Sequence, residues 1–145
     1  MKQEIFKILT NQQLAKDVYR MTLTGDTCGI RPGQFVNIKL DGLYLRRPIS
    51  VCDCVGCVLT LIYKVVGKGT ELMSKMTQCE ELDVLTGLGN GYDLTKSGET
   101  PILIGGGVGV PPLYMLCRKL AEEGKRPTVV LGFNKAEEVF YPNEF

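Results

Sequence analysis

Arg47-Pro48-Ile49-Ser50 and, farther along, Ile62-Tyr63-Lys64-Val65-Val66-Gly67-Lys68-Gly69-Thr70 are the two stretches on which the fold turns. The first sets a guanidinium, a rigid apolar pair and a hydroxyl in succession. A guanidinium suits bidentate contact with a phosphate, and a hydroxyl can hydrogen-bond a redox-active ring nitrogen. Pro48 and Ile49 can lie against a ring system. The second stretch is a strand-like run that opens into glycines and then a helix start, where backbone N–H groups favour a diphosphate. Together, Arg47, Pro48, Ile49 and Ser50 with Gly67, Gly69 and Thr70 make a candidate flavin cradle. Each half alone has a plainer interpretation: Arg46 and Arg47 as solvated edge charges before a strand that Pro48 begins, and residues 67–70 as an ordinary glycine turn. The glycines do not form a Walker loop, because the four-residue spacer and the closing Gly-Lys-Ser/Thr order are missing.

Outward from these stretches, residues 1–97 read as short strands between turn signals. Ile5 to Leu9, Val18 to Leu23, Gln34 to Leu40, Pro48 to Cys52 and Val58 to Val66 carry β-branched and aromatic residues. Thr24-Gly25-Asp26, Arg31-Pro32-Gly33 and Leu40-Asp41-Gly42 separate them. This spacing predicts a small antiparallel β-barrel or sandwich. A short helix is expected over 70–77, with Thr70 as N-cap and Leu72, Met73 and Met76 turned inward. A strand over 82–85 then enters the turn Gly87 to Gly91.

Residues 98–145 follow a different pattern. Pro101 to Ile104 is a continuous apolar run, as expected of a strand buried on both faces. It ends in Gly105-Gly106-Gly107-Val108-Gly109-Val110-Pro111-Pro112. Leu113, Leu116, Cys117 and Leu120 then recur at helical spacing over 113–123, and Thr128 to Phe133 forms the next apolar strand. A strand–helix–strand unit of this kind makes its two strands parallel. Gly105, Gly106, Gly107 and Gly109 are the candidate nucleotide contacts of this unit. The third glycine of G-x-G-x-x-G is replaced by Val110, and Phe133-Asn134 stands where a ribose-binding acid is expected. A doubly wound nucleotide domain needs more strands than the two or three available. The unit is therefore expected to be incomplete, part of a fragment or covered by another chain.

The totals exclude several function classes. A net charge of +1 over 145 residues leaves no electrostatic footprint for nucleic acid or an anionic membrane. No apolar run approaches the roughly 20 residues of a membrane span, and the N-terminus lacks a signal peptide's hydrophobic stretch. Cytoplasm is the expected location. Histidine is absent, which removes Ser-His and Cys-His nucleophile pairs. Among six cysteines, Cys52, Cys54 and Cys57 have a spacing that could hold zinc or an iron–sulfur cluster, though a fourth ligand is wanting. A structural role is the favoured alternative, with Cys52 and Cys54 alternating along a strand and Val55-Gly56 at the tip of a hairpin.

In this order, a barrel and then a parallel unit, the stretches resemble the ferredoxin-reductase superfamily. Arg46 to Ser50, Ile62 to Thr70, Leu88-Gly89-Asn90-Gly91-Tyr92 and Gly105 to Tyr114 carry the resemblance, with Leu131-Gly132-Phe133 and Val139-Phe140-Tyr141. Within it, the chain is most similar to the electron-transfer subunits of type B dihydroorotate dehydrogenases. The resemblance implies a Greek-key FAD barrel over 1–97 and the N-terminal part of an NAD-binding α/β domain over 98–145. It places FAD contacts on Arg47, Pro48, Ile49 and Ser50, on Ile62, Tyr63 and Lys64, and on Gly69 and Thr70. It implies a flavin-dependent, NADH-linked oxidoreductase subunit serving pyrimidine synthesis. Electrons pass from NADH through FAD to a cysteine-bound [2Fe–2S] cluster and then to the FMN of a catalytic partner in a hetero-oligomer. The cluster cysteines of the family lie in a C-terminal segment without counterpart here. The chain alone is thus expected to hold FAD weakly, to lack cluster ligands and to be inactive. A subunit of another NADH–ferredoxin or sulfide oxidoreductase, and a cofactor-free interaction module, are the alternatives.

Overall fold

In the computed structural model, which describes residues 1–145, six strands close into an antiparallel barrel. They are β1 (Lys2–Ala15), β2 (Val18–Thr24), β3 (Phe35–Ile38), β4 (Arg47–Val55), β5 (Val58–Lys64) and β6 (Glu81–Leu88). Their order around the barrel is β1-β2-β5-β4-β3-β6, with β6 pairing back onto β1. β3, β4 and β5 form a meander, while β2 lies beside β5 and β6 beside β3, which gives the expected Greek-key path. Alternation explains the core: Phe6, Ile8, Met21, Leu23, Val36, Ile38, Leu59, Leu61, Tyr63, Leu82 and Val84 all point into one closed cluster.

Helix α1 (Lys68–Lys75) lies in the connection from β5 to β6 and sends Met73 into the barrel core. It starts two residues before the expected position, so Thr70 is an interior first-turn residue and Gly67 is the N-cap. Leu72 is not inward but 43% exposed, because an eight-residue helix lying on a barrel buries only a narrow stripe. β6 runs on to Leu88, so the first glycine of the expected 87–91 turn is still in the strand.

The second unit is β7 (Ile102–Gly106), α2 (Pro111–Glu122) and β8 (Thr128–Gly132), with β7 and β8 parallel as expected. α2 begins at Pro111 rather than 113, since proline is well suited to the first turn of a helix. Leu103 packs under Leu113, Leu116 and Leu120. The expectation that β7 is buried on both faces is overturned: Ile102 and Ile104 are 66% and 73% exposed. Two strands and one helix can cover only one sheet face.

A separate apolar cluster joins the units. Val18, Cys52 and Ile62 on the outer wall of the barrel meet Val110, Phe140 and Tyr141. Val110, where a third motif glycine was missing, is fully buried in this seam. Asp53 on β4 accepts from Arg118 of α2 at 2.6 Å, and Lys64 and Lys16 donate to Glu138 and Glu137 at 2.7 and 2.9 Å.

Candidate functional site

β4 changes partners along its length, and the site lies where it does so. Residues 47–50 pair with β3, whereas Val51 to Val55 pair with β5. β5 in turn pairs with β4 only as far as Leu61, and Ile62, Tyr63 and Lys64 continue against β2 alone. The two strands therefore fork. A groove of about 320 Å³ opens in the fork, lined by Arg47, Pro48, Ile49, Ser50, Ile62, Tyr63, Lys64 and Thr70. Pro48 suits this place because it has no N–H to leave unpaired on the open side.

α1 brings the glycine turn to the same groove. Thr70 Oγ1 accepts from the N–H groups of Val66 and Gly67 at 2.9 and 3.3 Å and donates to the Gly67 carbonyl at 3.1 Å. These bonds tie the incoming chain to the first helical turn. Arg47 bends over the helix start, and any Cβ at Gly69 would overlap its Nε. Arg47 also donates to the Leu45 carbonyl, which holds its guanidinium between the β3–β4 loop and α1. One strong cation thus lies beside a helix N-terminus, an arrangement suited to a diphosphate. Gly67 is not a lining residue of the groove, and nothing lies within 4 Å of where its Cβ would be. Lys64 faces the groove but directs its ammonium to Glu138.

From the second unit, one residue of the glycine turn enters the groove: Val108, 52% exposed, with Gly107 and Gly109 on either side in a short 3-10 turn. Gly105 and Gly106 sit behind it at the end of β7. Gly105 is closely approached: a Cβ there would lie 2.6 Å from the movable Leu113 Cδ1 and 3.0 Å from the Gly109 carbonyl oxygen. Helix α2 offers this turn little hydrogen bonding. Pro111 and Pro112 have no N–H, and the Leu113 N–H already donates to the Val110 carbonyl at 3.0 Å. An anion at this turn would have to be held by the glycine backbone rather than by the helix start.

Val66 and Val108 complete the lining, beyond the residues expected from the sequence. A lone apolar residue between glycines at 107 and 109 is the signal that marks the second. The cysteine cluster resolves into separate environments. Cys52 is fully buried at the inter-unit seam, Cys54 is half-buried and Cys57 is exposed at the hairpin. Burial pushes the Cys52 thiol up to about 12. No three His, Cys, Asp or Glu side chains converge as a ligand set.

No family model matches the chain. Curated relatives do. The electron transfer subunit of dihydroorotate dehydrogenase B (NAD(+)) of Fusobacterium nucleatum is 45% identical over 156 aligned positions, spanning 100% of this chain and 60% of the relative. The protein of the same name from Enterococcus faecalis is 43% identical, spanning 99% and 58%. This chain is a homologue of dihydroorotate dehydrogenase B electron transfer subunits. It spans about 60% of the length of these curated relatives. Among solved structures, an NADH-dependent reduced ferredoxin-NADP oxidoreductase matches with a TM-score of 0.87 and 31% identity, over 97% of this chain and 52% of that one. Phthalate dioxygenase reductase shares the fold, with a TM-score of 0.79 at 21% identity over 94% and 45% of the two chains. The barrel and its attached parallel unit therefore have the ferredoxin reductase-like architecture. Within this homologue of the electron transfer subunits, the forked strands, the α1 start and Val108 enclose one groove.

Proposed function

We propose that this chain is the FAD-binding portion of an electron transfer subunit. In that assignment it takes electrons from NADH and delivers them to the FMN-containing catalytic subunit of a dihydroorotate dehydrogenase, in pyrimidine synthesis. The observation that carries it is convergence: Arg47, Pro48, Ile49, Ser50, Ile62, Tyr63, Lys64 and Thr70 line one groove, with Gly69 under Arg47.

The donor set fits FAD. Arg47 supplies fixed positive charge for a diphosphate, and Gly69 and Thr70 supply the start of a helix beside it. Ser50 offers a hydroxyl for a ring heteroatom, while Pro48 and Ile49 supply an apolar wall. Ile62, Tyr63 and Lys64 form the opposite wall, where β5 has lost its β4 partner. Bound FAD supplies hydride acceptance and one-electron delivery. Val108 and the turn of Gly105, Gly106, Gly107 and Gly109 provide the side from which a nicotinamide approaches. A [2Fe–2S] cluster belongs to the proposed scheme, but none of this chain's dispersed cysteines is assigned to it.

The test is reconstitution with FAD, followed by visible spectrum and dissociation constant. Arg47→Ala should weaken FAD binding roughly 10- to 100-fold, the equivalent of losing one charge-assisted contact. Normal FAD affinity in that variant overturns the role given to Arg47. A colourless protein whose thermal midpoint ignores FAD favours a cofactor-free interaction module. Similarity to the ferredoxin-NADP oxidoreductase supports a second assignment, with ferredoxin as the electron partner. Reduction of ferredoxin but not of a dihydroorotate dehydrogenase catalytic subunit would select it.

A further inference from the structure

We propose that Asn11 is a positioning residue for the diphosphate end of the FAD site, holding α1 so that Gly69 and Thr70 face Arg47. This rests on the FAD assignment above. Asn11 stands in β1 opposite Met21 of β2, a place where an amide side chain has poor intrinsic preference. Its three hydrogen bonds account for its presence. The amide nitrogen donates to the carbonyls of Met73 and Met76, at 2.8 and 2.9 Å. Those carbonyls belong to the last turn and C-cap of α1; the Met73 carbonyl also accepts the Met76 N–H at 3.1 Å, so Asn11 is its second donor. The amide oxygen accepts from the Tyr63 phenol at 3.0 Å.

Tyr63 is a fixed anchor for this chain of bonds. It is 2% exposed and stacked on Tyr19, with ring centroids 5.9 Å apart. Burial pushes its phenol up, so the hydroxyl keeps its proton and remains a donor. Tyr63 also lies in the groove-lining stretch of β5. Asn11 therefore joins one wall of the groove to the far end of the helix whose start forms the phosphate site. α1 has eight residues, and Met73 is its side chain in the barrel core. Met73 is a pivot; Asn11 prevents rotation about it. On a rigid helix about 12 Å long, freeing one end displaces the other.

The experiment compares FAD with riboflavin, which lacks the diphosphate, by flavin fluorescence titration alongside melting curves. Asn11→Ala should lower FAD affinity about tenfold and leave riboflavin affinity within about twofold, because only the diphosphate contacts depend on α1. Tyr63→Phe removes the hydroxyl that donates to Asn11 and should lower FAD affinity in smaller degree, which keeps the test available if Asn11→Ala fails to fold. Thr10→Val breaks the neighbouring 2.6 Å hydroxyl pair with Thr22 without touching α1, and should preserve the FAD-to-riboflavin ratio. Unchanged FAD affinity, equal loss of both flavins, or the same change in Thr10→Val overturns the positioning role. A wild-type chain that binds neither flavin overturns the FAD assignment itself and this inference with it.

Discussion

Gly69 and Gly67 stand two residues apart at the start of α1, yet they have different reasons to be glycine. Gly69 lies beneath Arg47, and a Cβ there would overlap Nε. Gly67 has an extended φ of −176°, which any residue adopts, and nothing within 4 Å of its would-be Cβ. Gly69→Ala should therefore displace the guanidinium and weaken FAD binding about tenfold. Its thermal midpoint should hold or rise, because alanine favours a helix by roughly 1 kcal/mol over glycine. Gly67→Ala should leave FAD affinity unchanged. Equal FAD titrations for the two variants would refute the proposed contact. Such a distinction is invisible in the sequence, where both glycines flank Lys68. Cys52 makes a parallel point about C-x-C-x-x-C spacing. With its thiol buried and held near 12, it should alkylate after exposed Cys28, Cys57 and Cys79, as timed mass spectrometry would show.

Among the elements, alternation made the barrel strands legible, and departures from alternation hid their ends. β1 continues from Leu9 to Ala15 through Thr10-Asn11-Gln12-Gln13, a polar run with no apolar period to read. Pairing with β2 and the Thr10–Thr22 and Asn11 hydrogen bonds sustain it. The start of α1 was hidden because Thr70 resembles an N-cap but its hydroxyl reaches back to Val66 and Gly67 from inside the helix. The short 3-10 turn Ala136–Glu138 shows an electrostatic element that local pattern could not foretell. Its Glu138 binds Lys64 on β5, and the hydrogen bond from Lys64 holds that carboxyl below the ordinary glutamate range. A depressed carboxyl contributes stability above its unfolded pKa and loses that contribution as pH falls through its folded value. The turn should therefore loosen only in acid. Glu138→Gln should flatten this part of the acid-side decline in thermal midpoint. An identical pH profile for wild type and variant would show that the pair contributes nothing.

At the scale of the whole molecule, the barrel is closed on itself while the parallel unit is not. α2 and the seam residues Val110, Phe140 and Tyr141 cover one side of that unit. On the other side Ile102, Ile104 and Val130 stay 66%, 73% and 48% exposed. The apolar run 101–104 was legible as a strand because its composition suits burial on two faces. Composition states what a strand prefers and not what covers it; the bare face was legible only in the count of elements, two strands and one helix being too few to cover both sides. Parallel sheets are ordinarily covered on both faces, and a contiguous apolar surface promotes association. The 145-residue chain should therefore self-associate as its concentration rises, through the β7–β8 face rather than the barrel. Ile104→Lys puts a solvated charge at the most exposed of the three positions and should shift the equilibrium toward monomer. The side chain lies outside the barrel core, so barrel melting and FAD titration should stay as in wild type. Sedimentation velocity across a concentration series checks this directly. A wild-type chain monomeric throughout, or an Ile104→Lys variant that associates equally, would show that this face is not where copies meet.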